Sequence, residues 1–477
     1  MSTRLLSDND CGIHRVLPVL LFTMFVWSAG CPSSDPGSAD LDSEERAAWS
    51  GVDLTVAVPS GHGYRSRWPV LFEDWSARTG GSVTLSAAAP SPRKDDDIVV
   101  IPITDVPAWD ASGRLAEIQG TGLPVEELLG GLKKQVVCLG RVPRLVPIVL
   151  PTLVLYLRAD LLESAGRSSP RTWSDYQELL DSIDQWGGGL PAVEPWGPDF
   201  RVTMFLARAV THARHPANYS LFFDINNGDP LIDSPPFVRG LIGSRTALAR
   251  MPAAVKTFGP ADCRREFLAG RAAMAIAYEP GGHGDEVLER DRSLRIRFAC
   301  LPGVSEGFNR TSGRFERVAR GVQTTPLVGF SGWVAAVSAT GEVRREAAWD
   351  LVGEILHARR RDALGPVASG PCWHSDVGTA VDWLEGPLAA EERIDYVEVT
   401  ATSLDDSGLV LELPLIGRQR FKEAIAVGLK RWLDNPDDPQ GILGDVAQEW
   451  QKILEQIGRD AARDSYRRGI GLSARRR

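Results

Sequence analysis

The sequence predicts an α/β protein whose sheets are rich in parallel strands. Three features point that way. Short segments that are apolar throughout, such as the IVVIP of DDDIVVIPITD, have the character of strands covered on both faces. Helical periodicities separate such segments along nearly the whole chain, which is the alternation expected of βαβ units. The 477 residues, 43% apolar and 24% charged, supply core for roughly two to three domain-sized units.

The first element is a targeting segment. In HRVLPVLLFTMFVWSAGC, His14 and Arg15 precede an apolar run from Val16 to Trp27, which small residues follow up to Cys31. The run is shorter than the ~20 apolar residues a membrane-spanning helix needs, and its layout is that of a secretory signal. Ser28-Ala29-Gly30-Cys31 resembles a bacterial lipobox, in which the cysteine becomes lipidated and N-terminal. Ser28 stands where leucine is usual, and Asp8 and Asp10 dilute the basic flank. The stretch from Pro32 to Gly51 is Pro, Ser, Gly and acid, and reads as a flexible tether. Of six cysteines, Cys11 leaves with the signal and Cys31 is spent on lipid. Cys138, Cys263, Cys300 and Cys372 remain, with three possible connectivities or none.

The fold begins with VDLTVAV, Val52 to Val58, as a strand. RWPVLFEDWSARTG follows as a helix, with Val70, Leu71, Phe72 and Trp75 sharing a face and Gly80 as a stop. Asp95 to Asp97 read as the solvated entrance to the next strand rather than as a cation site. PTLVLYLRADLLESAG is a strand that turns helical near Asp160. SPRTWSDYQELLDSIDQW is a helix capped by Thr172 with an acidic first turn. DSPPFVRGLIGSRTALARM is another helix. FLAGRAAMAIAYEP ends a helix, turns at glycine, and runs as an apolar strand to Tyr278 and Glu279. VGFSGWVAAVS is a strand, and GEVRREAAWDLVGEILHA an amphipathic helix. RFKEAIAVGLKRWLD and GILGDVAQEWQKILEQIGRDAARDSYR complete a helical C-terminal third, before a basic tail at residues 473–477.

A formal net charge of -9 argues against a non-specific nucleic-acid binder, which needs a basic face. There is no zinc-ligand spacing, no phosphate-cradling glycine loop, no GxSxG, no internal repeat and no coiled coil. His62, His283 and His374 fall in loops without metal-ligand spacing, so neither a metal nor a cofactor is expected. Most of the 14 tryptophans are expected to fill core.

Several segments, in order, resemble extracellular solute-binding proteins of family 1, the maltose-binding-protein-like sugar receptors of bacterial ABC importers. LTVAV and FEDWSARTGGSVTL are similar to the family's opening strand, helix and second strand. IVVIPITDVPAWDASGRLAEIQG is similar to its second βα unit. LPTLVLYLRADLLESAGRSSPRTWSDYQELL is the most specific piece, carried by Leu155-Tyr156, Asp160-Leu161, Ala165-Gly166, Pro170 and Thr172-Trp173. FLAGRAAMAIAY and GFSGWVAAVSATGEVRREAAWDLVGEIL resemble two further family segments. The likeness spans Val52 to about Arg468. It departs at Tyr156-Leu157-Arg158, where the family has Tyr-Tyr-Asn, and at the C-terminus, which runs on as DSYRRGIGLSARRR.

The resemblance implies a two-lobed periplasmic-binding-protein fold, type II-like, each lobe a mixed and mostly parallel sheet flanked by helices. Residues 1–31 would be the lipoprotein signal and 32–51 the tether. Residues 52–150 with 299–358 would form lobe 1, and 151–298 with 359–472 lobe 2. Ligand would lie between the lobes, which close around it. A sugar site calls for aromatic plates and planar polar groups that fork onto hydroxyl pairs. Tyr278 and Glu279 at a strand tip, Glu194 and Trp196 in VEPWGPDF, and Trp333 beside Gly332 are the leading candidates. Trp373, Tyr64, Asp105, Trp109 and Arg418 follow.

The function so implied is a monomeric, lipid-anchored extracytoplasmic receptor. It would deliver a sugar or oligosaccharide to an ABC permease, without catalysis. Two other readings stand beside it: the same fold taking a non-sugar ligand or serving a sensor, and a secreted carbohydrate-active enzyme using Glu194 and Glu279.

Overall fold

In the computed structural model, the described residues are 48–58, 64–88, 93, 95–118, 123–280, 290–291, 293–319, 321–338, 341–357, 370–384, 386–435 and 437–473. The signal, Cys31, most of the tether, His62, His283 and residues 474–477 lie outside them. Near the start of the described chain, the Trp49 indole N–H donates to Asp350 at 3.0 Å. Residues 46–477 form one of the chain's two compact units, and all the structure below belongs to it.

The chain opens with β1 (Asp53–Val58), α1 (Tyr64–Thr79), β2 (Ser82–Ala87), β3 (Ile98–Pro102), α2 (Val106–Ala111) and α3 (Gly130–Gln135). A small hairpin, β4 (Cys138–Leu139) and β5 (Val142–Pro143), leads to β6 (Val146–Val149) and β7 (Val154–Arg158). Then come α4 (Ala159–Ser164), α5 (Trp173–Asp181), α6 (Ile183–Trp186), β8 (Ala192–Val193), α7 (Arg201–Ala213), α8 (Pro235–Leu248) and α9 (Pro260–Leu268). Strands β9 (Met274–Ala277), β10 (Ile296–Cys300), β11 (Glu306–Asn309), β12 (Arg314–Arg317), β13 (Leu327–Val328) and β14 (Trp333–Val337) follow. The chain ends through α10 (Glu342–Leu356), α11 (Ala380–Trp383), α12 (Ala390–Asp405), β15 (Val410–Leu411), α13 (Arg418–Asp434), α14 (Pro439–Ile457) and α15 (Arg459–Gly469).

Two main sheets organise this chain. The first has the order β2-β1-β3-β14-β6, the second β10-β7-β9-β8. Strands β1, β2 and β3 run parallel, as does β8 with β9. The others do not: β14 is antiparallel to β3 and β6, and β7 is antiparallel to β9 and β10. The pairing is therefore less parallel than the alternation suggested. Strands β6 and β7 are joined by only four residues, Leu150 to Leu153, which carry the chain from one sheet to the other, so no βαβ crossover is completed there. Ala299 and Cys300 still pair in the second sheet, and the hairpin β11–β12 packs on α7 and α8. The return to the first sheet thus comes at Trp333, later than residue 299.

Alternation within the central strands explains their largely apolar sequences. Val154 and Tyr156 of β7 face one core, while Leu153, Leu155 and Leu157 face the other. On β9, Ala275 and Ala277 join the first core, Met274 and Ile276 the second. Helix α12 closes the first core by packing on β10 and on α3.

Local chemistry sets several boundaries. Thr172 accepts from the Asp175 N–H at 3.1 Å while Asp175 accepts from the Thr172 N–H, which makes the expected cap a reciprocal capping box for α5. On α1, Trp68, Leu71, Phe72 and Trp75 are buried, but Val70 is 63% exposed and does not share their face. Asp97 is not solvated either. It is 1% exposed, accepts from the Thr55 N–H at 2.9 Å and pairs with Arg344, pinning the start of β3 to β1. Cys138, Cys263, Cys300 and Cys372 are all free thiols. Among the described residues, no helix is long and apolar enough to cross a membrane, and no group of His, Cys, Asp and Glu could hold a metal ion.

Candidate functional site

The two sheets meet where β3 ends and β14 begins. Trp333 sits opposite Pro102, the last residue of β3. The connection into β14 is Gly329-Phe330-Ser331-Gly332-Trp333. It leaves a short parallel pairing of β13 with β15, then turns through two glycines at φ 83° and 111°. Gly332 has no substitute here: a Cβ would lie 2.4 Å from the Val149 carbonyl oxygen and 2.8 Å from Leu150 Cδ2. Its own carbonyl accepts from the Ile103 N–H at 3.0 Å, tying the loop to the end of β3.

This loop carries two half-buried aromatics. Phe330 meets Phe200 edge-on, with ring centroids 5.4 Å apart and planes at 79°, and lies tilted to Tyr278 at 6.0 Å. Phe200 precedes α7, and Tyr278 follows β9, so both come from the second sheet's side. Three residues on, Trp333 belongs to the first sheet. Three peptide units span at most about 11 Å, so Phe330 and Trp333 are near neighbours. Phe200, Tyr278, Phe330 and Trp333 each keep part of their surface open. Asp105, half-buried just beyond β3, is the carboxylate on the same edge.

The Glu279 side chain points away from that of Tyr278. Adjacent residues of an extended strand point to opposite faces, and Glu279 turns into the first core. It is 2% exposed and accepts from Tyr156 Oη at 2.8 Å and from Arg264 Nε and Nη2 at 2.8 and 2.6 Å. Its backbone N–H donates to Tyr396 Oη at 2.9 Å. Burial, and then the Glu279 charge, push the Tyr156 hydroxyl well above its usual range, so it stays a donor.

Glu194 and Trp196 are likewise interior, both at 0% exposure. Glu194 accepts from Tyr176 Oη, Trp196 Nε1 and Arg208 Nη2 at 2.8, 2.8 and 2.7 Å, and Trp196 packs against Trp432. Trp109 and Trp373 are core residues at 1% exposure, and Arg418 is 9% exposed. Tyr64 starts α1, and its side chain lies outside the described residues. Arg418 nevertheless bears on the site. Its Nη2 donates to the Gly329 carbonyl at 3.3 Å and to Glu412 Oε1 at 2.7 Å. Glu412 also accepts from Lys422 at 2.8 Å and Thr203 at 2.6 Å, which joins α13 and α7 beneath the aromatic loop.

Of the ten predicted residues, Tyr278, Trp333 and Asp105 are thus partly accessible at strand ends. Sequence reasoning missed Phe330 and Phe200. Phe330 had a legible signal, since it sits between two glycines one turn before Trp333. Phe200 had none beyond its place at the start of a helix.

No family model matches the chain, and no curated protein matches it. Solved structures do. Maltose-bound MalE3 of T. maritima is 17% identical, with a TM-score of 0.56 over 84% of this chain and 100% of that one. MalE of Xanthomonas citri, described as a sugar-binding protein, is 13% identical, with a TM-score of 0.62 over 85% and 98%. A solute-binding protein of an ABC transporter from Agrobacterium radiobacter K84, in complex with ribitol, is 16% identical, with a TM-score of 0.57 over 85% and 99%. The chain has the two-lobed solute-binding-protein fold.

Proposed function

We propose that the protein is an extracytoplasmic receptor that holds a sugar or polyol between its two lobes and passes it to an ABC permease. In this reading it is a monomer tethered to the membrane by lipid on Cys31, and no bond of the ligand is made or broken. The first lobe comprises residues 52–150 and the return through β14 and α10. The second comprises the β7 to β10 sheet with its helices and the C-terminal helices.

The observation that carries the proposal is the aromatic loop at the junction of the sheets. Phe330 reaches the second sheet's Tyr278 and Phe200, and Trp333 starts a strand of the first. A sugar ring offers flat C–H faces to such plates and hydroxyls to a carboxylate such as Asp105. A ligand touching both lobes is bound better when they are closed, so binding shifts the population toward the closed form. The maltose and ribitol held by the neighbours support the ligand class.

A thermal-shift screen across neutral sugars, polyols, amino acids and polyamines tests the reading. A true ligand at a hundred times its Kd adds about 2.7 kcal/mol of stability. A sugar or polyol should raise the Tm in a saturable way, and the sugar should be recovered unchanged. A response confined to amino acids or polyamines, or release of cleaved sugar, overturns it.

A further inference from the structure

Helix α15 lies where the likeness ends, at about Arg468, and the receptor reading gives its last turn no role. It is rooted in the second lobe. Ala462 and Tyr466 are buried in that core, at 0% and 1% exposure. Tyr466 Oη accepts from the backbone N–H groups of Leu221 and Phe222 at 3.2 and 3.1 Å, and its ring meets Phe223 edge-on. Arg459 pairs with Asp229 at 3.0 Å, and Arg467 donates to the Ile225 carbonyl at 3.0 Å. Burial pushes the Tyr466 hydroxyl up, so this anchor does not titrate near neutral pH.

The end of the same helix grips the first lobe. The Arg468 guanidinium forks onto both carboxylate oxygens of Asp110, with Nε 2.7 Å from Oδ2 and Nη2 against Oδ1. Its carbonyl accepts from the Gly140 N–H at 2.7 Å, at the turn of the β4–β5 hairpin. The Asp110 side chain is 8% exposed and that of Arg468 30% exposed, so the pair is partly shielded from solvent. Asp110 lies on α2, which follows β3 at the edge where Pro102 pairs with Trp333. Gly469 packs so tightly that a Cβ would meet the Pro414 carbonyl oxygen at 2.1 Å.

We propose that α15 is a strap between the lobes, clasped by the Arg468–Asp110 fork beside the aromatic loop, and that it restrains their opening. A two-bond fork tolerates little displacement, whereas rotation of the lobes about the crossing segments would carry Asp110 away from the Tyr466 anchor. The proposal rests on the two-lobed arrangement and not on the identity of the ligand.

The test measures lobe separation in the full-length protein without ligand. Spin labels enter as unnatural amino acids at Val70 on α1 and Val427 on α13, which are 63% and 62% exposed. A hinge rotation of about 10° over a lobe of roughly 30 Å moves a label by about 5 Å. Asp110→Asn and Arg468→Gln should each lengthen or broaden the distance distribution on that scale. The charge-swapped double variant, Asp110→Arg with Arg468→Asp, should return it toward the native one. Raising the salt on the unaltered protein should broaden it to a lesser degree than either substitution, because a partly shielded pair is screened less than an exposed one. This arm needs no variant to fold. An unchanged distribution in the folded single variants and in high salt overturns the strap. So does a change that the swap leaves in place. Neither result bears on whether a sugar binds.

Discussion

Replacing Glu279 by Gln separates two roles for this residue: ligand contact, and keystone of a buried network. The structure assigns the second. The carboxylate receives three hydrogen bonds, one from Tyr156 and two from Arg264, and Arg264 is itself 6% exposed. A glutamine keeps an acceptor for Tyr156 or for one guanidinium N–H. Its amide nitrogen, however, faces a second donor, and the Arg264 charge loses its counterion. Removing one partner of a buried ion pair costs about 3–5 kcal/mol, mostly through the charge left uncompensated. Urea denaturation of Glu279→Gln should show a loss of that order, while the affinity of the folded protein for its ligand stays within roughly threefold. Adding Arg264→Met removes the orphaned charge, so the double variant should lose less than the sum of the singles. A Glu279→Gln protein within about 1 kcal/mol of the native stability but unable to bind would refute the assignment.

Three other substitutions probe the site and its surroundings. Gly332→Ala forces a side chain onto the Val149 carbonyl at φ 111° and should cost at least about 2 kcal/mol in urea denaturation, with loss of binding. Phe330→Ala removes the plate shared by Phe200 and Tyr278; calorimetry should show ligand affinity falling roughly thirtyfold, about 2 kcal/mol, and an unchanged affinity would remove the loop from the site. His212 tests the pH response. Burial, then Arg239 and Arg208, lower its pKa from 6.5 to about 3. The fold therefore holds the neutral ring, and this contribution is complete above pH 6.5 and lost as the pH falls toward 3. Between pH 7 and 5 the native protein should lose at most about 2 kcal/mol more than His212→Gln; equal losses would rule the group out.

What was legible in the sequence depended on how far away each residue's partner lies. The Thr172 cap could be read because its partner, Asp175, is three residues on. The strands could be read because a segment covered on both faces must be largely apolar, as in Val154 to Leu157 of β7 and in β9. Two charged groups were misplaced because their partners are remote. Glu279 is held by Tyr156, 123 residues away, and Asp97 by Arg344, 247 residues away. Val70 was misplaced for another reason. Three consecutive apolar residues, Val70 to Phe72, cover most of a helical turn, and the pattern alone does not say which of them faces out.

The three charged site candidates that proved buried share one feature: each borders or holds a loop that carries an aromatic of the proposed site. Glu279 follows Tyr278, Glu194 opens the loop that ends at Phe200, and Arg418 holds the Gly329 carbonyl before Phe330. Under the proposed function, these side chains orient the loops that carry the aromatics rather than touch a guest. Arg418 gives the sharpest test. Arg418→Met leaves Glu412 with Lys422 and Thr203 as partners, so the carboxylate is not orphaned. The stability loss should accordingly be smaller than for Glu279→Gln, about 1–3 kcal/mol. What the variant does lose is the N–H donor to Gly329, which frees the loop. A fluorine label on the Phe330 ring should then report a changed environment in the ligand-free protein, together with weaker binding. Weaker binding with an unaltered Phe330 signal would mean that the guanidinium meets the ligand itself, and the orienting role would be wrong at that point.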